Sequence, residues 1–303
     1  MEAAMAGINR RQALGAIGAA SLGVVAAACS SGSSDDPASS TTSTTGSTSS
    51  ADGSTTAPSS TTAPAGAGST TVPARGTVSA EVAALFDQAG TCRVTPEEME
   101  GPYWFDVDSV RRDIREDREG TPLRLGLRVQ DASCAPISDA VVEIWHCDAL
   151  GSYSGFEAAS DAANTPQGVR GGAGAGAQAG LGGMGGAGGG GANRTDDETY
   201  LRGAQVTDAN GVVEFLTVYP GWYTGRAVHV HLKVHLGTTT ALTTQLYFPD
   251  DVNDRAHSVA PYATHTGSRT TNDADMIHHP DNVAAVAETT DGWAAALTIA
   301  LAG

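Results

Sequence analysis

This sequence is short of positive charge: 17 Lys and Arg stand against 34 Asp and Glu, a formal charge of −17 over 303 residues. A surface that acidic repels phosphate backbones, so nucleic acid is not expected as a partner. Long apolar runs are also missing. The stretch Ala13 to Ala28 is too short and too rich in Ala and Gly for a comfortable membrane span. Residues 30–76 have almost no large apolar side chains, only Ser, Thr, Gly, Ala and Pro in quantity, and cannot offset the entropy of an ordered backbone. They read as a disordered tether that holds no site.

What stands before the tether has the order of a secretory signal: Arg10-Arg11, the apolar run, then Cys29. Val25-Ala-Ala-Ala-Cys29 resembles a bacterial lipobox, which implies lipidation at Cys29 and an extracytoplasmic protein held to the cell membrane only by its N-terminal lipid. A signal cleaved nearby, with Cys29 lost, is the alternative. Residues 77–303, about 225 in all, suffice for one β-rich domain with a real core. An exported chain lives where disulfides persist. Cys92 and Cys134 sit beside turn-like sequence and Cys147 inside an apolar strand pattern, so Cys92–Cys134 is the expected pair and Cys147 a buried free thiol.

A short helix is expected around Ala80 to Gln88. Strand patterns follow at Leu123–Val129, Ala140–Trp145, Tyr200–Val206, Val212–Val218, Val228–Leu236, Thr243–Phe248 and Trp293–Leu301. Turn formers such as Asp208-Ala-Asn-Gly211 and Pro249-Asp-Asp separate them, and no long amphipathic helix lies between. That spacing predicts an all-β protein, an antiparallel β-sandwich with irregular loops. Residues 168–193, mostly Gly and Ala, read as a flexible surface insertion; neither a β-branched strand nor a helix frames those glycines as a dinucleotide site.

The chemistry concentrates at Tyr219-Pro-Gly-Trp-Tyr223-Thr-Gly-Arg226-Ala-Val-His229-Val-His231. On a strand, side chains two apart leave the same face, so His229 and His231 can converge on one ion. Lys233 and His235 share that parity, and parity alone does not distinguish ligands from a polar face. The company of Tyr223 and Arg226 does more. Zinc prefers thiolate and imidazole, whereas a phenolate is a hard anionic donor suited to ferric iron. The expected cofactor is therefore non-haem Fe(III).

Three segments resemble the intradiol ring-cleavage dioxygenases, the family of protocatechuate 3,4-dioxygenase and catechol 1,2-dioxygenase. They are Thr95-Pro-Glu-Glu-Met-Glu-Gly-Pro-Tyr-Trp104, Glu143-Ile-Trp-His-Cys-Asp-Ala-Leu-Gly-Ser-Tyr153, and Thr217 to His231. The resemblance implies Tyr153, Tyr223, His229 and His231 as iron ligands, Tyr223 being the tyrosinate that leaves and takes a proton when substrate binds. It also implies Arg226 as stabiliser of charge developing on the substrate, Gln245 beside the substrate, and Pro102 and Tyr103 as pocket walls. The reaction implied is cleavage of a catecholic ring between its hydroxylated carbons with O₂, giving a muconate-type diacid. Only five residues separate Tyr223 from His229. That short connection resembles the exported branch of the family rather than its cytoplasmic enzymes, so the particular catechol and the oligomeric state stay open.

Two other classes fit parts of the sequence. A tethered, non-catalytic β-sandwich binding module would treat the histidines as surface. A cupin would use His229, His231 and His235, but its framing glycines and acidic ligand are missing. Trp145 and Trp222 read as core or pocket wall, His146 as a satisfied polar residue, and His257, His265, His278 and His279 as loop histidines with no shared spacing.

Overall fold

The computed structural model describes residues 77–89, 92–164 and 192–303. The signal with Cys29, the tether and the insertion up to residue 191 lie outside the described residues. Helix α1 (Ala80–Leu85) comes first. Strands β1 (Pro122–Gln130) and β2 (Val141–Trp145) follow, then α2 (Glu157–Asn164), β3 (Arg202–Val206), β4 (Val212–Val218), β5 (His229–Leu236), β6 (Thr239–Tyr247), α3 (Asp250–Ala256), β7 (Ala285–Glu288) and β8 (Trp293–Ala300).

The strands make two four-stranded sheets, ordered β4-β1-β8-β7 and β3-β2-β5-β6. Alternation decides which residues lie between them. Leu123, Leu125, Leu127 and Val129 of β1 meet Val142 and Ile144 of β2 and Val230, Leu232 and Val234 of β5 in one core, all 1% exposed or less. Burial of each such side chain stabilises by about 1.5–3 kcal/mol. The sandwich is thus the expected fold class, with one departure: β1 and β8 pair in parallel, while the other ladders are antiparallel.

Three elements go beyond the sequence reading. Pro249-Asp-Asp was expected as a turn, but Pro249 is the N-cap of α3 and Asp250 and Asp251 occupy its first turn, where acidic side chains complement the helix dipole. Helix α2 is only eight residues of Ala-rich sequence. Strand β7 is a four-residue edge strand held by its register with β8, Ala285 facing Ala296. Outside the first sheet, α1 lays Val82, Leu85 and Phe86 against Ala294 and Ala296. Gly126 makes room for it, since a Cβ there would stand 2.1 Å from Val82 Cγ1. Cys92 and Cys134 form a disulfide with Cα atoms 5.2 Å apart, and Cys147 is a buried free thiol.

Candidate metal centre

The outer face of the second sheet carries the site. Along β5 the core takes Val230, Leu232 and Val234, so His229, His231, Lys233 and His235 all turn outward. Register supplies their neighbours. His231 lies between Trp145 of β2 and Gln245 of β6, and His229 faces Tyr247. Trp145 stacks flat on the His231 ring, centroids 5.0 Å apart at 4°, which fixes the imidazole plane.

Two loops deliver the phenols, and glycines let those loops interlock. A Cβ on Gly151 would stand 2.4 Å from Trp222 O, and one on Gly221 would stand 2.4 Å from Asp148 O. Gly151 also has φ +89°, a left-handed conformation that glycine adopts without strain. Asp148 Oδ1 accepts from the amides of Leu150 and Ser152, and Tyr153 N donates to Ser160 Oγ. Tyr153, fully buried, and Tyr223, partly exposed, therefore point at the start of β5.

The four side chains converge on one point. His229 Nε2 is 3.1 Å from His231 Nε2, 3.2 Å from Tyr223 Oη and 3.4 Å from Tyr153 Oη. Donors about 2.1 Å from one ion at tetrahedral angles stand about 3.4 Å apart, so the three distances measured from His229 Nε2 suit donors that share one ion. His229 Nδ1 donates to Ala227 O at 2.7 Å, which leaves its Nε2 as a bare acceptor. Burial, and then the cation of Arg226 for His229 and the neighbouring His229 for His231, hold both imidazoles well below their usual pKa and hence neutral. Burial acts oppositely on the phenols. It raises Tyr153 well above 10, and it pushes Tyr223 up to about 12 against the pull of Arg226. Among the described residues no group of three or more His, Cys, Asp or Glu is arranged to hold a metal. A cation here depends on the two phenols, which are the donors a hard trivalent ion favours.

Arg226 sits beside this cluster on a scaffold of its own. Its Nε donates to Asp275 Oδ2 at 3.0 Å, and its Nη2 donates to Gln245 Oε1 and, at 3.3 Å, to Tyr247 Oη. Burial works against its charge, but Tyr223, Asp275 and Tyr247 outweigh it and keep the guanidinium firmly protonated. Gln245, fully buried, donates an amide hydrogen from Nε2 to Met99 O. Gln245 was expected beside the substrate; both ends of its amide are engaged in holding Arg226 and the 95–104 segment.

That segment forms a strap over the face. Gly101, at φ +76°, lies where a Cβ would come 3.0 Å from His231 Cε1. Tyr103 packs on Tyr153 with ring centroids 4.8 Å apart, while Pro102 is exposed and its carbonyl accepts from Ala192 N. The other histidines stay apart from the cluster. His146 is satisfied by Cys147 O and Thr217 Oγ1, His257 bonds to Pro220 O, His265 stacks on Trp222, and His279 accepts from Asp281 N. His278 stands edge-on to Tyr247.

Asp275, Tyr247 and Glu98 were not singled out from sequence. Tyr247 had a signal, since it shares the parity of Gln245 on a predicted strand; Asp275 reaches Arg226 from a distant loop and had none. A cavity of about 360 Å³ opens elsewhere, lined by Asp113, Arg115, Glu116 and Arg118 among others, and shares no residue with the cluster. Asp113 holds Arg115 through two bonds and Glu116 pairs with Arg111, so its walls neutralise themselves.

No protein-family model matches the chain. Catechol 1,2-dioxygenase 1 of Acinetobacter lwoffii is 26% identical over 180 residues, 52% of this chain and 47% of that protein. Catechol 1,2-dioxygenase of Pseudomonas sp. (strain EST1001) is 36% identical over 81 residues, 25% and 26% of the two chains. The chain thus spans about half or less of the curated relatives it matches. A solved intradiol ring-cleavage dioxygenase from Tetranychus urticae is similar over 69% of this chain and 94% of its own, with 28% identity and a TM-score of 0.57. In fold and in sequence the chain is thus similar to solved intradiol ring-cleavage dioxygenases.

Proposed function

We propose that this chain is a non-haem Fe(III) dioxygenase that opens the ring of a catecholic substrate between its two hydroxylated carbons, using O₂, to a muconate-type diacid. The observation that carries it is the convergence of Tyr153, Tyr223 and His231 on His229, their donor atoms 3.1–3.4 Å from His229 Nε2. Ferric iron held by these four would bind both catechol oxygens and make the ring reactive toward O₂.

The chain's own groups divide the remaining work. Tyr223, the more exposed of the two phenols, accepts a proton from a substrate hydroxyl at its Oη, which its raised pKa favours. Tyr153, fully enclosed against Tyr103, stays in place. Arg226, fixed by Asp275 and Gln245, presents a permanent positive charge where the substrate becomes anionic. Trp145, Phe156 and Tyr103 keep water from that side of the centre.

Purified protein should contain iron, be coloured by tyrosinate-to-iron charge transfer, change colour on adding catechol, and consume O₂ while forming a diacid. A colourless protein with zinc or without metal would sink the proposal and favour a binding module. We further propose that Cys29 is lipidated and holds the enzyme outside the cytoplasm; Cys29→Ser should release it from the membrane fraction, and a membrane-bound variant would contradict this.

A further inference from the structure

We propose that Glu98 is a positioning residue of this site, deciding through Tyr247 how firmly Gln245 holds the Arg226 guanidinium. The inference rests on the catalytic role proposed above for Arg226. Its basis is a count of protons and acceptors around one hydroxyl.

Tyr247 Oη has one proton and two acceptors within reach: Glu98 Oε2 at 2.8 Å and Gln245 Oε1 at 3.2 Å. It also accepts from Arg226 Nη2 at 3.3 Å. Gln245 cannot turn away, because its nitrogen is committed to Met99 O at 2.9 Å. Glu98 is held as well, its Oε1 accepting from Asn282 Nδ2 at 2.7 Å, and Asn282 in turn bonds to Thr244 Oγ1. With Glu98 ionised, the Tyr247 proton goes to Glu98. Gln245 Oε1 is then left to Arg226 alone.

Protonating Glu98 reverses the chain. Its Oε1 faces the Asn282 amide hydrogens, so the new proton sits on Oε2 and is donated to Tyr247 Oη. The Tyr247 hydroxyl must then turn its own proton to Gln245 Oε1. Arg226 Nη2 now competes for both of the oxygens it had used, and the guanidinium is left chiefly on Asp275. Among the described residues, the charged and titratable groups that act on Glu98 are Tyr247, Arg226 and Asp275, and the His278 ring stands edge-on to Tyr247. Burial raises the Glu98 carboxyl to about 7, opposed by its bonds to Tyr247 and Asn282 and by Arg226. The reversal therefore falls in the neutral range, with the firm arrangement on the alkaline side.

Two readouts test this on the full-length protein. The first is kcat/KM for catechol from pH 5.5 to 8.5. Wild type should lose roughly three- to tenfold on the acid side, in kcat rather than KM, as a charged hydrogen bond weakens. Glu98→Gln presents an amide donor to Tyr247 and should stay at the acid-side level throughout. Tyr247→Phe cuts the connection and should flatten the same limb. The second is infrared difference spectroscopy against pH with guanidinium-labelled arginine, which reads Glu98 and Arg226 without turnover. A carboxyl band titrating near neutrality should vanish in Glu98→Gln, and the arginine bands that move with it should stop moving in Tyr247→Phe. A limb or a band movement that survives Tyr247→Phe overturns the inference, as does a wild type with neither. Coupled bands in a protein that consumes no O₂ would instead count against the proposed reaction alone.

Discussion

Replacing Asp275 with Asn should cost about 2–4 kcal/mol of folding stability, and the figure follows from its three bonds. Asp275 is 6% exposed. Its Oδ2 accepts from Arg226 Nε at 3.0 Å and from Ala227 N at 2.9 Å, and its Oδ1 accepts from Ile277 N at 2.9 Å. Asparagine has one oxygen for these three donors. It will turn that oxygen to Arg226 and Ala227, since the other orientation sets its amide against two donors rather than one. The half-buried Ile277 amide then loses its partner, a cost toward the lower end of the range of about 1–3 kcal/mol for a fully buried group. The guanidinium also loses its counter-charge. Breaking a buried pair outright costs about 3–5 kcal/mol. That ceiling is not reached here, because the oxygens of Gln245 and Tyr247 still accept from Nη2.

Denaturant unfolding with the disulfide intact measures the change as a shift in midpoint at constant slope. A double-mutant cycle with Arg226→Met isolates the pair, since neither partner is then left with an unmatched charge in the double variant. The coupling should exceed about 1 kcal/mol, within the range for residues in direct contact. A single-variant loss below about 0.5 kcal/mol, or a coupling near zero, would refute the claim that Asp275 anchors Arg226. The same variant should lose kcat while retaining bound metal, because none of the four converging donors touches Asp275.

Gly101→Ala should cost about 1–3 kcal/mol, the range for a non-glycine residue forced into a sparsely populated conformation, and should also press on His231. A faster loss of metal to a chelator would show the second effect; wild-type stability and retention together would mean that the strap does not bear on the ligand. Cys92→Ser with Cys134→Ser opens a link between residues 42 apart, worth about 4 kcal/mol by loop-closure entropy. An unfolding midpoint that does not move on reduction would contradict that contribution.

The strands were legible because their boundaries are local. Val212–Val218 is read residue for residue, with Gly211 before it and Tyr219-Pro220 after, and its alternation needs no partner to be seen. β7 was not legible, because Ala-Val-Ala-Glu has no pattern of its own and becomes a strand only when Trp293–Ala300 offers an edge. The parallel pairing of β1 with β8 was hidden for the same reason, since periodicity describes one strand and not its neighbour. Tyr153 became visible only through resemblance. It lies 76 positions before His229, and what joins them is the contact of two glycine-containing loops that spacing does not encode. Asp275 and Glu98 lie further along the same scale, each an acidic residue whose importance depends wholly on what the fold brings to it.

The face of β5 makes the limit concrete. Its four outward side chains are equivalent by parity, and the two at its start differ from the two at its end only by what other elements set against them. Lys233, the one lysine of the chain, pairs with Glu100 and lies 3.5 Å over the Trp104 ring, while His235 bonds to Glu143 and Thr240. Trp104 Nε1 also donates to Glu143, so this end binds the strap to the sheet. Among the described residues His229 and His231 have no carboxylate bonded to them, and burial holds both neutral, helped by Arg226 at His229 and by His229 at His231. An imidazole must be neutral to offer a lone pair to a cation, and phenols rather than carboxylates close the remaining sides. The strap that Lys233 and Glu143 pin down is the one that sets Gly101 against His231 and Tyr103 against Tyr153. One half of the strand face thus binds the cover, and the cover encloses the other half.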